Sequence, residues 1–231
     1  CLVGSEMCIR DRMNIGGYDF VTLGNHDFNY GKEELEKYIS ALDARCLCAN
    51  IAGIRGVEKT AIVTLQNGLR VGLAGVTTHY VKLWEKPENL AGIAVTDAFT
   101  AAKEAYDQLK AKADITVCIY HGGFERDVKT GKVLSDTDEN QGWRICEELG
   151  FDILLAGHQH TAAENVRING TYTCQPPDKA RQYIRMDVIV DGQITAEQHL
   201  MDAGNVTQAK ANRLSYKKVI ALVSDLWGDE D

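Results

Sequence analysis

The chain reads as a layered α/β fold. Helical and strand-like periodicities alternate along its 231 residues, with hairpin signals inserted between them. Three apolar strand-like runs, 18–23, 114–120 and 152–156, each end in a histidine-bearing loop. The loops are Asn25-His26-Asp27, His121-Gly122-Gly123 and Gly157-His158-Gln159-His160. In an open α/β sheet ligands bind beyond the carboxyl ends of the strands, so these loops mark the expected site.

Taken in order, Asn14-Ile15-Gly16-Gly17 closes a helix and leads into a strand. Gly31-Lys32-Glu33-Glu34-Leu35 opens the next helix, whose stripe is Leu35, Tyr38, Ile39 and Leu42. Residues 46–51 form a short strand. Residues 60–66 and 69–76 flank Asn67-Gly68, the strongest short hairpin signal. An irregular excursion covers 77–95. Residues 97–113 are a helix with Phe99, Ala102, Tyr106 and Leu109 on one side. The run 114–120 lacks polar alternation, which predicts a strand buried on both faces. A helix over 138–149 is stopped by Gly150, and 152–156 is another buried strand. Residues 166–174 turn at Asn169-Gly170, and 182–190 is a strand leading to Asp191-Gly192. Beyond about residue 204 the pattern becomes an exposed, helix-like tail.

At 45% hydrophobic and 25% charged, with 3 prolines, the composition is globular rather than disordered. A net charge of −8 argues against a nucleic-acid duplex or an anionic membrane as partner. A phosphate ligand would then need local positive charge, most simply from a metal. No apolar run approaches the ~20 residues of a membrane span. The seven cysteines are an odd count, and Cys46, Cys118 and Cys146 read as core residues. Cys46-Leu47-Cys48 has a metal-binding spacing, but core packing is the better reading. Nothing demands an oxidising compartment.

Residues 1–12, CLVGSEMCIRDR, are set apart. They show no initiator Met, signal-peptide layout or clear periodicity, and they resemble a translated sequencing-adapter read. The expected division is an extraneous segment at 1–12, a partial catalytic domain at 13–203 and a tail or linker at 204–231.

Four of the six histidines occupy the three strand-end loops. A single His on a turn is commonly a satisfied surface group; four after three strand ends point to one purpose. His158 and His160 can face one metal or two adjacent ones. Glycines before His158 and after His121 let substrate and metal come close to the backbone. Imidazole suits Zn, Mn, Fe or Co alike, so ligand type does not name the metal. His79 and His199 lack this setting and read as surface or packing residues.

Gly24-Asn25-His26-Asp27 and Gly157-His158-Gln159-His160, with His121 between, resemble the later motifs of the calcineurin-like metallophosphoesterases. Gly24-Asn25-His26-Asp27-Phe28-Asn29-Tyr30-Gly31 and Tyr120-His121-Gly122-Gly123-Phe124-Glu125 are similar to the 5′-nucleotidase family. The nearest branch is the 2′,3′-cyclic-nucleotide phosphodiesterase/3′-nucleotidase enzymes. The likeness runs over about residues 14–200 and ends near Gln175-Pro176-Pro177.

The resemblance implies two mixed β-sheets flanked by helices, with the first βαβ portion missing. It implies a hydrolase of nucleotide phosphoesters that uses two divalent metal ions to activate a bridging water. Asn25, His121 and His158 would hold one metal and His160 the other, with His26 beside the leaving oxygen. Asn29 stands where many relatives have an Asp that orients this His; its amide carbonyl would fix the tautomer, and Asp27 is a candidate substitute. The family's Asp-x-His and Gly-Asp motifs, which supply the bridging carboxylate, do not occur before residue 24. Asp11 is not followed by the required His, and Asp19 lies within a strand. The chain as given is therefore expected to bind metal weakly and to be inactive, and the full gene product to be active. Relatives are mostly periplasmic, secreted or cell-surface. Two other readings stay open: a metallophosphoesterase for nucleotide sugars or other phosphodiesters, and a non-catalytic metal-binding domain.

Overall fold

The computed structural model describes residues 5–179, 181–202 and 221–222. Its elements begin with α1 (Ser5–Gly16), β1 (Phe20–Val21), a 3-10 turn (Asn25–Phe28), α2 (Gly31–Ser40) and β2 (Arg45–Leu47). There follow β3 (Ile51–Ala52), β4 (Val57–Glu58), β5 (Thr60–Thr64), β6 (Arg70–Thr77), α3 (Val81–Trp84) and β7 (Ala94–Val95). Next are α4 (Ala98–Leu109), β8 (Ile115–His121), α5 (Gly142–Glu148), β9 (Ile153–Ala156), β10 (Ala163–Ile168) and β11 (Thr171–Gln175). The last are β12 (Gln182–Asp191), β13 (Gln193–Asp202) and β14 (Ala221–Leu222).

The larger sheet runs β10-β11-β9-β8-β6-β5. Its inner strands are parallel and both edges, β5 and β10, pair antiparallel, so it is mixed. The smaller sheet runs β14-β1-β2-β4 with parallel pairings. β12 and β13 form a hairpin ten residues long on each arm.

Period-two alternation explains why the central strands look uniformly apolar. Ala74, Val76, Cys118, Tyr120 and Leu154 face α4 and α5 in one core. Leu73, Val117, Ile119 and Ile153 face the other way, onto Phe20 and Leu47 of the smaller sheet and Met186 and Val188 of the long hairpin. A third core joins the smaller sheet to α2 through Val21, Leu23, Leu35 and Ile39. The molecule is thus helix, sheet, sheet, helix. α4 starts where Asp97 caps it, its Oδ1 accepting from Thr100 N–H at 2.8 Å.

Several boundaries move. The run 18–23 pairs only at Phe20–Val21, and 46–51 splits into β2 and β3. The excursion 77–95 contains α3 and β7, and β7 pairs with β3. The helix expected from 138 begins at Gly142, and the one expected to reach 113 ends at Leu109. α1 starts at Ser5, inside the segment set apart from sequence. The tail expected from 204 lies outside the described residues except for Ala221–Leu222, which pairs with β1. No helix among the described residues is long and apolar enough to cross a membrane.

Candidate metal centre

The three loops meet at the carboxyl ends of parallel strands. After β1 the chain enters the 3-10 turn at Asn25, anchored by the fully buried Phe28. Asp27 Oδ2 accepts from Gly24 N–H at 2.7 Å and closes this turn. Asp27 thus shapes the loop that presents Asn25 and His26. Asn29 Nδ2 lies 3.3 Å from His26 Nδ1. The amide nitrogen, not the expected carbonyl, faces the ring, so Nδ1 accepts and the imidazole proton sits on Nε2.

His121 ends β8 with its ring almost wholly buried. Its Nε2 is 2.8 Å from Asn25 Oδ1. Gly24 makes room: a Cβ there would come within 3.0 Å of the His121 ring. The His158 ring centroid lies 5.3 Å from that of His121. Burial holds the His121 imidazole well below the usual histidine range, and repulsion from His158, His26 and His160 pushes it the same way. All four imidazoles therefore share one electrostatic neighbourhood. Neutral imidazole is the form that binds metal.

The donor set is of a type that suits a divalent cation: an amide oxygen and an imidazole nitrogen hydrogen-bonded at 2.8 Å, with further imidazoles close by. Among the described residues no three of His, Cys, Asp and Glu form a cluster able to hold a metal ion. The arrangement is thus an open set of donors rather than a closed cage.

The loops are locked to each other. Gln159 Oε1 accepts from Phe124 N–H at 2.8 Å, and its Nε2 donates to the Phe124 carbonyl at 2.9 Å. Asn140 Oδ1 accepts from Gly123 N–H at 2.7 Å. This bracing holds His158 (φ 81°) and His160 (φ 56°) in the left-handed region, which non-glycine residues seldom adopt. His158 Nε2 lies 3.1 Å from Glu139 Oε1, and its ring stacks on Trp84 at 5.5 Å.

Sequence reasoning missed Glu139, Asn140, Gln159 and Trp84. Gln159 carried a signal, sitting between two histidines; the others had none. Cys46 and Cys48 are both buried, and burial pushes the Cys48 thiol up to about 12. They stay protonated at neutral pH and pack the core. His79 sits 3.6 Å from Asp97, and His199 lies on β13 beside Asp187 and Glu197.

A model of the calcineurin-like phosphoesterase family matches residues 6–162. The trifunctional nucleotide phosphoesterase protein YfkN of Bacillus subtilis is 32% identical over 164 residues, covering 64% of this chain and 11% of that protein. The 2′,3′-cyclic-nucleotide 2′-phosphodiesterase/3′-nucleotidase of Salmonella typhimurium is 26% identical over 162 residues, 64% of this chain and 24% of the relative. The chain thus spans a quarter or less of these relatives' lengths. Among solved structures, a Staphylococcus aureus chain assigned as a 5′-nucleotidase superposes with a TM-score of 0.79 at 28% identity. The match covers 93% of this chain and 46% of that one.

Proposed function

The chain belongs to the calcineurin-like phosphoesterase family, and from that premise we propose that it is part of a metal-dependent hydrolase of nucleotide phosphoesters. The type is 2′,3′-cyclic-nucleotide phosphodiesterase or 3′- or 5′-nucleotidase; the names of its relatives support this substrate class. The observation that carries the reading is the 2.8 Å approach of Asn25 Oδ1 to His121 Nε2, where the carboxyl ends of β1 and β8, one from each sheet, meet.

Asn25, His121 and His158 would hold one divalent ion and His160 a second. When bound, the metals supply positive charge for the phosphate and an acidified water. The protein's own residues do the rest. Burial keeps His121 neutral and ready to bind. His26, whose Nδ1 lies 3.3 Å from Asn29 Nδ2, would stand beside the leaving oxygen and donate a proton to it. The Gln159 and Asn140 bracing holds the loops in register.

The open donor set among the described residues supports the proposal that residues 1–231 alone bind metal weakly and are inactive. Calorimetric titration with Mn²⁺ or Zn²⁺ tests the site: binding should disappear in His121→Ala while circular dichroism stays unchanged. Wild-type affinity in that variant would remove His121 from the centre. Hydrolysis of bis-p-nitrophenyl phosphate by 1–231 at an ordinary enzymatic rate would refute the expected inactivity.

A further inference from the structure

His158 is held on three sides. Its Nε2 lies 3.1 Å from Glu139 Oε1, its face stacks on Trp84 at an interplanar angle of 26°, and His121 lies beside it. Glu139 is itself fixed. Asn140 Nδ2 donates to the same Oε1 at 3.3 Å. The Glu139 carbonyl accepts from Thr78 Oγ1 at 2.8 Å and from the Tyr120 hydroxyl at 3.4 Å. Tyr120 directly precedes His121, so the carboxylate is tied to the strand end that positions the first imidazole.

We infer that Glu139 is a positioning residue of the metal centre: it accepts the His158 Nε2 proton and thereby aims Nδ1 at the cation. The inference rests on the reading of His158 as a metal ligand. Its chemical ground is simple. A carboxylate only accepts, so the nitrogen facing it must carry the proton. A neutral imidazole has one proton, so Nδ1 keeps the lone pair. A carboxylate behind a ligating histidine fixes tautomer and ring orientation, and removing such a partner weakens metal binding by about 10–100-fold. Trp84 packs one face of the ring and limits its tilt. If Glu139 instead bound the cation directly, Nε2 would face the metal too, and the tautomer would be reversed.

The test uses the whole chain with Zn²⁺ alone as probe. Affinity is measured calorimetrically for wild type, Glu139→Ala, Glu139→Gln and His158→Ala, with circular dichroism as the fold check. Long-range ¹H–¹⁵N spectra of the imidazoles report which His158 nitrogen is protonated. The expected result is zinc on Nδ1 and a proton on Nε2 in wild type, with about 10–100-fold weaker binding in Glu139→Ala. Glu139→Gln, which keeps the shape and loses the charge, should be several-fold weaker and decides the matter if the alanine variant does not fold. Zinc on Nε2, or wild-type affinity in the Glu139 variants, overturns the inference. Loss of binding in His158→Ala with retention in both Glu139 variants sinks this inference alone. Wild-type binding in His158→Ala removes the ligand reading beneath it as well.

Discussion

The Gln159 side chain joins two of the three loops, and its contribution can be isolated. Replacing it with Ala deletes two hydrogen bonds, to the N–H and the carbonyl of Phe124. At roughly 1 kcal/mol net each, the loss is about 2 kcal/mol, or about 4–8 °C in Tm for a domain of this size. Gly123→Ala attacks the same contact from the other side. A Cβ at Gly123 would stand 2.0 Å from Gln159 Cδ and 2.2 Å from Cγ and Oε1. The side chain would have to leave, taking both hydrogen bonds with it, so this change should also cost about 2 kcal/mol. In the double variant the obstructing atoms are already gone. Its cost should therefore stay near about 2 kcal/mol, a coupling of about −2 kcal/mol against the additive sum. Urea unfolding of the four proteins closes the cycle, and zinc titration should show both single variants weakened alike. Additive costs, or an unchanged single variant, would show that the loops are not joined through this side chain.

Three other outcomes follow from the same geometry. His121 resists protonation in the folded chain because it is buried, whereas the unfolded chain takes up its proton near pH ~6.5. The unfolded state thus binds more protons below that pH. Its contribution to stability is full above about pH 6.5 and falls as pH drops, at up to about 1.4 kcal/mol per pH unit. Urea midpoints in EDTA should show this slope between about pH 5 and 6.5 in wild type and a flatter profile in His121→Gln; parallel profiles would contradict it. Asp27→Ala removes the bond to Gly24 N–H and should cost about 1–2 kcal/mol by thermal unfolding, with Asp27→Asn recovering part. Leu73→Ala, in the core between the sheets with no exposure, should cost about 2–5 kcal/mol in urea.

The parts of the fold legible from sequence were those with a local physical signal. β8 read as doubly buried because its alternate residues fill two different cores. The Asn-Gly pairs at 67–68 and 169–170 placed two hairpins through turn chemistry alone. The start of α5 was misplaced for the opposite reason. Asp138 to Gln141 have the polar look of a helix start, yet distant groups recruit them. Asn140 holds Gly123 N–H, and Gln141 Oε1 accepts from Phe99 N–H at 2.9 Å. Those bonds compete with helix formation and delay it to Gly142.

The candidate site divides along the same line. Its histidines announce themselves because they follow apolar strands, whereas the groups that orient them do not. Asp136, Asp138 and Glu139 are equivalent on paper, three carboxylates in one polar stretch. Asp136 and Asp138 remain exposed, and only Glu139 turns to an imidazole. What selects it is a grip on its carbonyl by Thr78 and Tyr120, 61 and 19 residues away along the chain. Both hydroxyls are placed by β6 and β8, whose pairing sets Val76 opposite Tyr120 and Thr77 opposite His121. The sheet that carries His121 therefore also chooses the carboxylate that faces His158. A substitution that breaks the Thr78 bond, Thr78→Val, should loosen zinc binding in the same direction as Glu139→Ala but more weakly, since the Tyr120 bond remains. Zinc titration of that variant checks it: an affinity equal to wild type would mean that the Thr78 bond does not position Glu139.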